Sequence, residues 1–219
     1  MITRVIRTKA QAAANYNRLS RWYDLVAGST ERKYRDLGLQ MLQAQAGENV
    51  LEIGFGTGHC LLALAKAVGP QGSVCGIDIS AGMQDVALRR LQSAGAAERV
   101  DLQVGDAAKL PYPHDSFDAV FMSFTLELFD TPEIPQVLEQ CRQVLRPGGR
   151  IGLVVMARPD KPGFAVRLYE WCHARWPAMV DCRPIHARTA LQESGFTIEA
   201  AQRWRMWGLP VDVIRAHKL

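Results

Sequence analysis

The chain has 219 residues, 48% hydrophobic and 22% charged, which suits one domain with a sizeable core and excludes a disordered or fibrous chain. No apolar run approaches the roughly 20 residues that cross a bilayer. The five cysteines, Cys60, Cys75, Cys141, Cys172 and Cys182, form no C-x-x-C pair, so neither a zinc site nor a disulfide framework is expected.

The net charge of +4 is unevenly spread: residues 1–40 carry 8 basic and 3 acidic side chains, 41–157 carry 8 and 13, and 158–219 carry 10 and 6. Basic flanks around an acidic middle read as solvated helix faces, or as a rim that attracts an anionic acceptor or a lipid surface. The start, MITRVIRTKAQAAANYNRLSRWYD, is basic without the apolar core of a signal peptide. A cytoplasmic protein is expected. Ile2, Val5, Ile6, Tyr16, Leu19 and Tyr23 among those basic residues predict one or two amphipathic helices.

Strand-like runs follow at Asn49–Ile53, Ser73–Ile77, Val100–Val104, Phe117–Met122 and Gly149–Val155. Several lack clean alternation, as strands buried on both faces do. Helical stretches at Cys60–Val68, Gly82–Ala94 and Ile134–Leu145 lie between them, and this alternation predicts βαβ units and a parallel sheet. Turns are predicted at Gly69–Gly72, Pro111–Pro113 and Arg146–Gly149. The segment Pro159–Ile185, with Phe164, Tyr169, Trp171 and Trp176, follows the fifth strand, where an insertion would sit over the strand ends that bind ligands. Phe196–Ala201 and Met206–Ala216 read as two more strands, forming a hairpin at the sheet edge.

The first strand runs into NVLEIGFGTGHC. Its glycines, Gly54, Gly56 and Gly58, would let a ligand approach the backbone at a helix N-terminus. The dinucleotide fingerprint G-x-G-x-x-G fails here, because its third glycine position holds His59. Glu52, just ahead of the loop, would repel a pyrophosphate and suit a cationic amine. Asp78 ends the second strand 24 positions after Gly54, where a carboxylate can accept both hydroxyls of a ribose. Asp106 ends the third strand, where it could accept from an adenine amino group.

On these residues the chain resembles the class I S-adenosylmethionine-dependent methyltransferases, above all the ubiquinone/menaquinone-biosynthesis C-methyltransferases and bacterial phospholipid N-methyltransferases. LEIGFGTGH, GIDIS with Met83, VGDAAKLPYPHDSFD and LRPGGRI carry the likeness, from about Tyr16 to Ile151. The resemblance implies an α/β, Rossmann-like sheet of seven mostly parallel strands, the last antiparallel, with helices on both faces and an N-terminal helical lid. The expected division is a lid at 1–40 and a core domain at 41–219, with an acceptor-side insertion at about 159–185. S-adenosylmethionine is the implied cofactor and S-adenosylhomocysteine its product.

Carried over by position, Glu52 and Gly54 meet the methionine amino end, and Gly56 and Gly58 form the loop beside it. Phe55 departs from the cysteine or alanine often found there, but its backbone can play the same part. Asp78 holds the ribose, Ile79 and Met83 pack on adenine, Gly105, Asp106 and Ala107 meet its edge, and Ser123 adds backbone contacts. Tyr16 and Tyr23 can face the sulfonium by cation–π attraction, and Tyr23-Asp24 matches a lid pair of related enzymes.

In-line displacement at a sulfonium methyl asks chiefly for alignment and exclusion of water. The candidate catalytic residues are Tyr23, Glu127 just after the fourth strand, and His186 on the acceptor side. His114 and His173 are further candidate bases. Capping of the next helix is the other reading of Glu127, and the slightly favoured one. SFTL after that strand replaces the Asn/Asp-Pro-Pro-Tyr/Phe motif of amino-purine methyltransferases and the Pro-Cys of cytosine-carbon enzymes. The expected acceptor is therefore a small or lipid-like molecule. No nucleic-acid partner or metal is expected. The basic start with Trp171 and Trp176 fits contact with the inner face of a membrane, although a plain core is the more frequent reason for such residues; a monomeric or homodimeric state is expected. An NAD(P)-dependent oxidoreductase and a cofactor-binding module without catalysis are the competing readings.

Overall fold

The computed structural model describes residues 4–5, 7–20, 28–176 and 182–218. Helix α1 (Lys9–Leu19) opens with a capping box: Gln11 N donates to Thr8 Oγ1 at 3.2 Å, and Thr8 N donates to Gln11 Oε1 at 2.9 Å. No residue within α1 is buried. Helix α2 (Gly28–Leu42) is different, because Tyr34 and Leu42 are buried in the core. A Cβ at Gly38 would collide with Val154, so α2 lies close against the sheet. The expected lid boundary at residue 40 thus falls inside a helix that packs on the core.

The remaining elements alternate in order. They are β1 (Asn49–Ile53), α3 (His59–Val68), β2 (Ser73–Asp78), α4 (Ala81–Ser93), β3 (Val100–Val104), β4 (Phe117–Ser123), α5 (Ile134–Val144) and β5 (Leu145–Met156). Then follow α6 (Phe164–Arg175), α7 (Ala187–Glu193), β6 (Phe196–Met206) and β7 (Leu209–Lys218). The seven strands form one sheet in the order β3-β2-β1-β4-β5-β7-β6. β1 pairs in parallel with β2 and β4, and β7 runs antiparallel to both β5 and β6. The α/β fold expected from the sequence is present, including the single antiparallel strand.

Two apolar clusters cover the two faces of the sheet. Val50 and Val154 lie in one, Leu51, Ile53, Leu153 and Val155 in the other. Burial of both side-chain sets explains why β1 and β5 show no polar–apolar alternation. On α5, Ile134, Val137, Leu138, Cys141 and Val144 are buried at helical spacing.

The largest differences from the expected bounds lie in β5 and in the C-terminal hairpin. β5 begins at Leu145, not Gly149, because buried Leu145 pairs with Phe117 before the irregular stretch. Two steps along β4, Phe117 to Ala119, face five along β5, Leu145 to Arg150. The expected turn is therefore a large bulge inside the strand, with Gly148 at φ 73°. The C-terminal hairpin turns at Trp207-Gly208, with φ values of 51° and 80° that match the right-handed strand twist. β6 extends through Met206 as the outer strand, and its exposed Gln202, Arg203 and Arg205 suit an edge.

Candidate functional site

The chain order reverses between β1 and β4, and a crevice opens there at the carboxyl ends of the strands. A cavity of about 340 Å³ occupies it. Its floor comes from Gly54 and Gly56 after β1, Asp78 and Ile79 at the end of β2, and Gly105 to Ala107 after β3. Met83 on α4 and Ser123 at the end of β4 line it too. Its cover is α1, through Thr8, Lys9, Ala12 and Tyr16.

The floor is built by the backbone. Gly54 sits at φ 71°, and a Cβ there would run into the side chain of Thr125. Gly56 N donates to Asp78 Oδ2 at 2.9 Å, and Ser80 N donates to Oδ1 at 2.9 Å. Both carboxylate oxygens are thus aimed before any ligand arrives. Burial raises the Asp78 pKa, and these two backbone donors oppose that rise. Ser80 also caps α4 by accepting from Met83 N at 3.1 Å, which fixes Met83 against the cavity.

The cover is built by charge and polar side chains. Lys9 Nζ lies 2.6 Å from Asp106 Oδ2 and 2.8 Å from Glu133 Oε1. Burial works against the Lys9 charge, but its two carboxylate partners outweigh it and raise its pKa. Arg4 donates twice to Asp130 on the rim, at 2.8 Å from Nε and 2.6 Å from Nη2, and Val5 N adds a third bond at 3.0 Å. The Arg4 guanidinium holds the Asp130 carboxyl down at about 2. At the other end of α1, Asn17 Oδ1 accepts from Ser80 Oγ at 2.7 Å and from Gly82 N at 2.9 Å. The Arg7 guanidinium lies 5.5 Å over the Tyr16 ring.

Other site residues named from the sequence stand apart from the lining. Glu52 is buried behind the glycine loop. Burial lifts its pKa well above the usual range, with Asp78 adding to the rise. Phe55 points into the core, where its ring would meet a Cβ on Gly76. Gly58 precedes α3 at φ 83° and packs on Ala87. Glu127 is fully buried and does not line the cavity: its Oε1 accepts from Met156 N at 3.0 Å, anchoring the end of β5. Burial pushes its pKa up to about 8. His186 is half-buried ahead of α7 and is not in the lining, His173 is buried in α6, and His114 is exposed in its turn. Tyr23 and Asp24 lie outside the described residues.

Lys9, Thr125, Asp130 and Glu133 were not singled out from the sequence. The T-K-A-Q capping box was a readable signal for the start of α1. Nothing in spacing links Lys9 to Asp106, 97 positions away.

The set of acceptors suits a ligand with hydroxyls and an ammonium. Ser123 Oγ in the lining and Glu52 Oε2 behind it are buried without a hydrogen-bond partner, an arrangement that folding disfavours unless a ligand or water supplies the partner. Among the described residues no cluster of His, Cys, Asp or Glu could hold a metal ion.

Residues 50–149 match the methyltransferase domain family. A demethylmenaquinone methyltransferase of Lactobacillus johnsonii is 34% identical over 152 residues, which is 69% of this chain and 60% of the relative. A 2-phytyl-1,4-naphtoquinone methyltransferase of Synechococcus elongatus is 36% identical over 152 residues, 69% of this chain and 63% of the relative. The chain thus spans about 60% of the length of the first of these relatives. Among solved structures, the cyclase SpnF superposes with a TM-score of 0.77 at 20% identity, over 97% of each chain. A methyltransferase from Aquifex aeolicus gives 0.63 at 20% identity, covering 84% of this chain and 89% of that one. These likenesses show the fold alone. The glycine loop, the paired acids at the strand ends and the sequence relatives go further: residues 50–149 form a methyltransferase domain of the class I S-adenosylmethionine-dependent type, whose cofactor is S-adenosylmethionine.

Proposed function

We propose that this chain transfers a methyl group from S-adenosylmethionine to a small, lipid-like acceptor of the quinone class. The observation that carries this reading is the single cavity lined by Gly54, Gly56, Asp78, Asp106 and Ser123 under a polar-latched helix. The quinone class is suggested by the names of the two sequence relatives. Bound in the cavity, the cofactor supplies an activated methyl on a sulfonium, with a leaving group that departs neutral.

The chain's own residues then hold and shield. Asp78, pre-aimed by Gly56 and Ser80, accepts ribose hydroxyls. Ile79 and Met83 pack on the adenine, and Asp106 with Ala107 faces its edge. Glu52 Oε2 and Ser123 Oγ are the unused acceptors nearest the amino acid end. Helix α1 excludes water, which would otherwise compete for the methyl group. Tyr16 faces the cavity from that helix and supplies a π face for a cation. Residues 4–20 act as the lid, and α2 belongs with the core. Asp130, held ionised by Arg4, is a weak base; acceptor deprotonation is therefore not assigned to it.

Thermal shift with S-adenosylmethionine, S-adenosylhomocysteine and NADH tests the cofactor. Stabilisation by the first two and not by NADH is expected; stabilisation by NADH alone would favour an oxidoreductase. Label transfer from methyl-labelled cofactor to a demethylated naphthoquinol tests the acceptor class. No label in the quinone fraction, with cofactor bound, would remove the quinone assignment.

A further inference from the structure

The insertion after β5 has an unusual helix. The neck of this excursion is pinned, because Ile185 N donates to Met156 O and Arg158 N donates to Ile185 O, both at 2.9 Å. On α6, the face turned toward the protein carries Val166, Tyr169, Glu170 and His173, at positions i, i+3, i+4 and i+7. Glu170 is ion-paired there with Arg158 at 2.6 Å. The opposite face carries Phe164, Arg167, Leu168, Trp171 and Arg175, all exposed, within one stripe of about 100°. Phe164 is 81% exposed, Leu168 47% and Trp171 56%. Apolar side chains therefore point outward while a carboxylate and an imidazole point inward. A helix that only completes a core does the reverse.

The stripe does not stand alone. Trp176, 45% exposed, stacks edge-on against Trp171 at 5.5 Å. Trp207, 69% exposed, tips the β6–β7 hairpin just beyond the Met156–Val211 pair, at the same end of the sheet. Five of the eight large exposed apolar side chains among the described residues thus gather at the end where the cavity lies. Among the described residues, the charges beside them are mostly basic. Lys161, Arg167 and Arg175 are exposed, and the Arg175 guanidinium lies 5.8 Å over the Trp176 ring. Glu170 is turned inward; the exposed acid nearby among the described residues is Asp160, which precedes α6 and is not on its outer face.

We infer that the outer face of α6, with Trp176 and Trp207, docks this protein onto an anionic lipid bilayer. Aromatic and aliphatic side chains flanked by Lys and Arg, with no acid on the same face, suit the headgroup boundary. A second copy of the chain would meet the same three cations and be repelled. This inference rests on the reading that the acceptor is lipid-like: docking at this end would bring the cavity close to a surface from which such an acceptor could enter.

The test is co-sedimentation of the full chain with vesicles, without cofactor or acceptor. Vesicles of phosphatidylcholine alone are compared with an equal mixture of phosphatidylcholine and phosphatidylglycerol. Binding to the mixed vesicles is expected, weakening with salt. A triple variant, Phe164→Ser, Leu168→Ser and Trp171→Ser, should lower that binding by about tenfold or more. A double variant, Arg167→Glu and Arg175→Glu, should do the same on the mixed vesicles only. The changed side chains are exposed, so thermal midpoint and S-adenosylmethionine affinity should stay as in the parent and serve as fold controls.

Equal binding by parent and triple variant would overturn the inference. So would equal binding to both vesicle types, since the anionic surface is part of it. A parent dimer that becomes monomeric in the triple variant, with no vesicle binding by either, would reassign the face to self-association. Because the vesicle readout uses no methyl donor, its failure leaves methyl transfer standing, and failed methyl transfer leaves a positive vesicle result standing.

Discussion

The floor and the cover of the cavity are held by different forces. The floor consists of strand ends whose positions follow from a sheet buried on both faces. Its polar groups are fixed by backbone N–H donors, as with Asp78 between Gly56 and Ser80. The cover is a helix with no buried residue, held at one end by Arg4 and Lys9 and at the other by Asn17. Damage to the floor should therefore cost both stability and binding. Damage to the cover should change how fast the ligand comes and goes.

The strongest way to break that contrast is Gly54→Ala. A Cβ there meets Thr125 at a left-handed backbone, so a loss of at least about 2 kcal/mol in denaturant unfolding is expected. Cofactor binding by calorimetry should be lost with it. A stable, binding-competent variant would mean the floor is softer than described.

Glu127 probes the wall behind the floor. Its carboxyl, raised to about 8 by burial, stays protonated in the folded protein at neutral pH, whereas the ordinary value is 4.5. The folded state therefore binds the extra proton. Its contribution to stability is full below about 4.5 and declines as pH rises toward 8, by up to about 1.4 kcal/mol per pH unit. Glu127→Gln should flatten that slope in unfolding titrations between about pH 5 and pH 8. Parallel slopes in the two proteins would show that the carboxyl ionises freely.

Asp78→Ala should weaken S-adenosylmethionine binding by about tenfold or more, or about 1.4 kcal/mol, by calorimetry. Unchanged affinity would mean that no ribose rests on Asp78. The smallest effect is expected from the cover. Lys9→Ala and Arg4→Ala should each speed S-adenosylhomocysteine release by a few-fold, about 0.5–1 kcal/mol. They should also remove part of the salt dependence of that rate, with little change in melting temperature. A large loss of stability in either would put the lid on the same footing as the floor.

This division also explains what could be read in advance. β1 and β3 have the bounds expected: β1 because a strand buried on both faces writes itself as a continuous apolar run, and β3, at the sheet edge, because apolar Val100, Leu102 and Val104 alternate with polar Asp101 and Gln103. Asp78, Asp106 and the glycines were legible because they sit at strand ends with fixed chain spacing. Lys9 with Asp106, and Arg4 with Asp130, join positions far apart in the chain through flexible side chains on α1 and just ahead of it, where the core buries neither. No local periodicity encodes such a contact. Glu127 follows β4 as a ligand-side acid would, yet tertiary packing turns it toward Met156 N instead. The C-terminal hairpin is legible, but the place of its turn is not, because Trp207 occupies a positive-φ position usually filled by Asn or Gly.

The placing of β7 has a consequence for how the chain assembles. β7 follows both β5 and β6 in sequence but lies between them in the sheet. Until it arrives, β5 has an open edge whose apolar residues, Ile151 to Met156, have no partner on that side. During synthesis the half of the sheet that carries the cavity floor can pair first, while β5 waits for a strand about fifty positions further on. An exposed edge of this kind invites pairing with other chains. The interval between the emergence of β5 and the insertion of β7 is thus where this protein is most prone to aggregate.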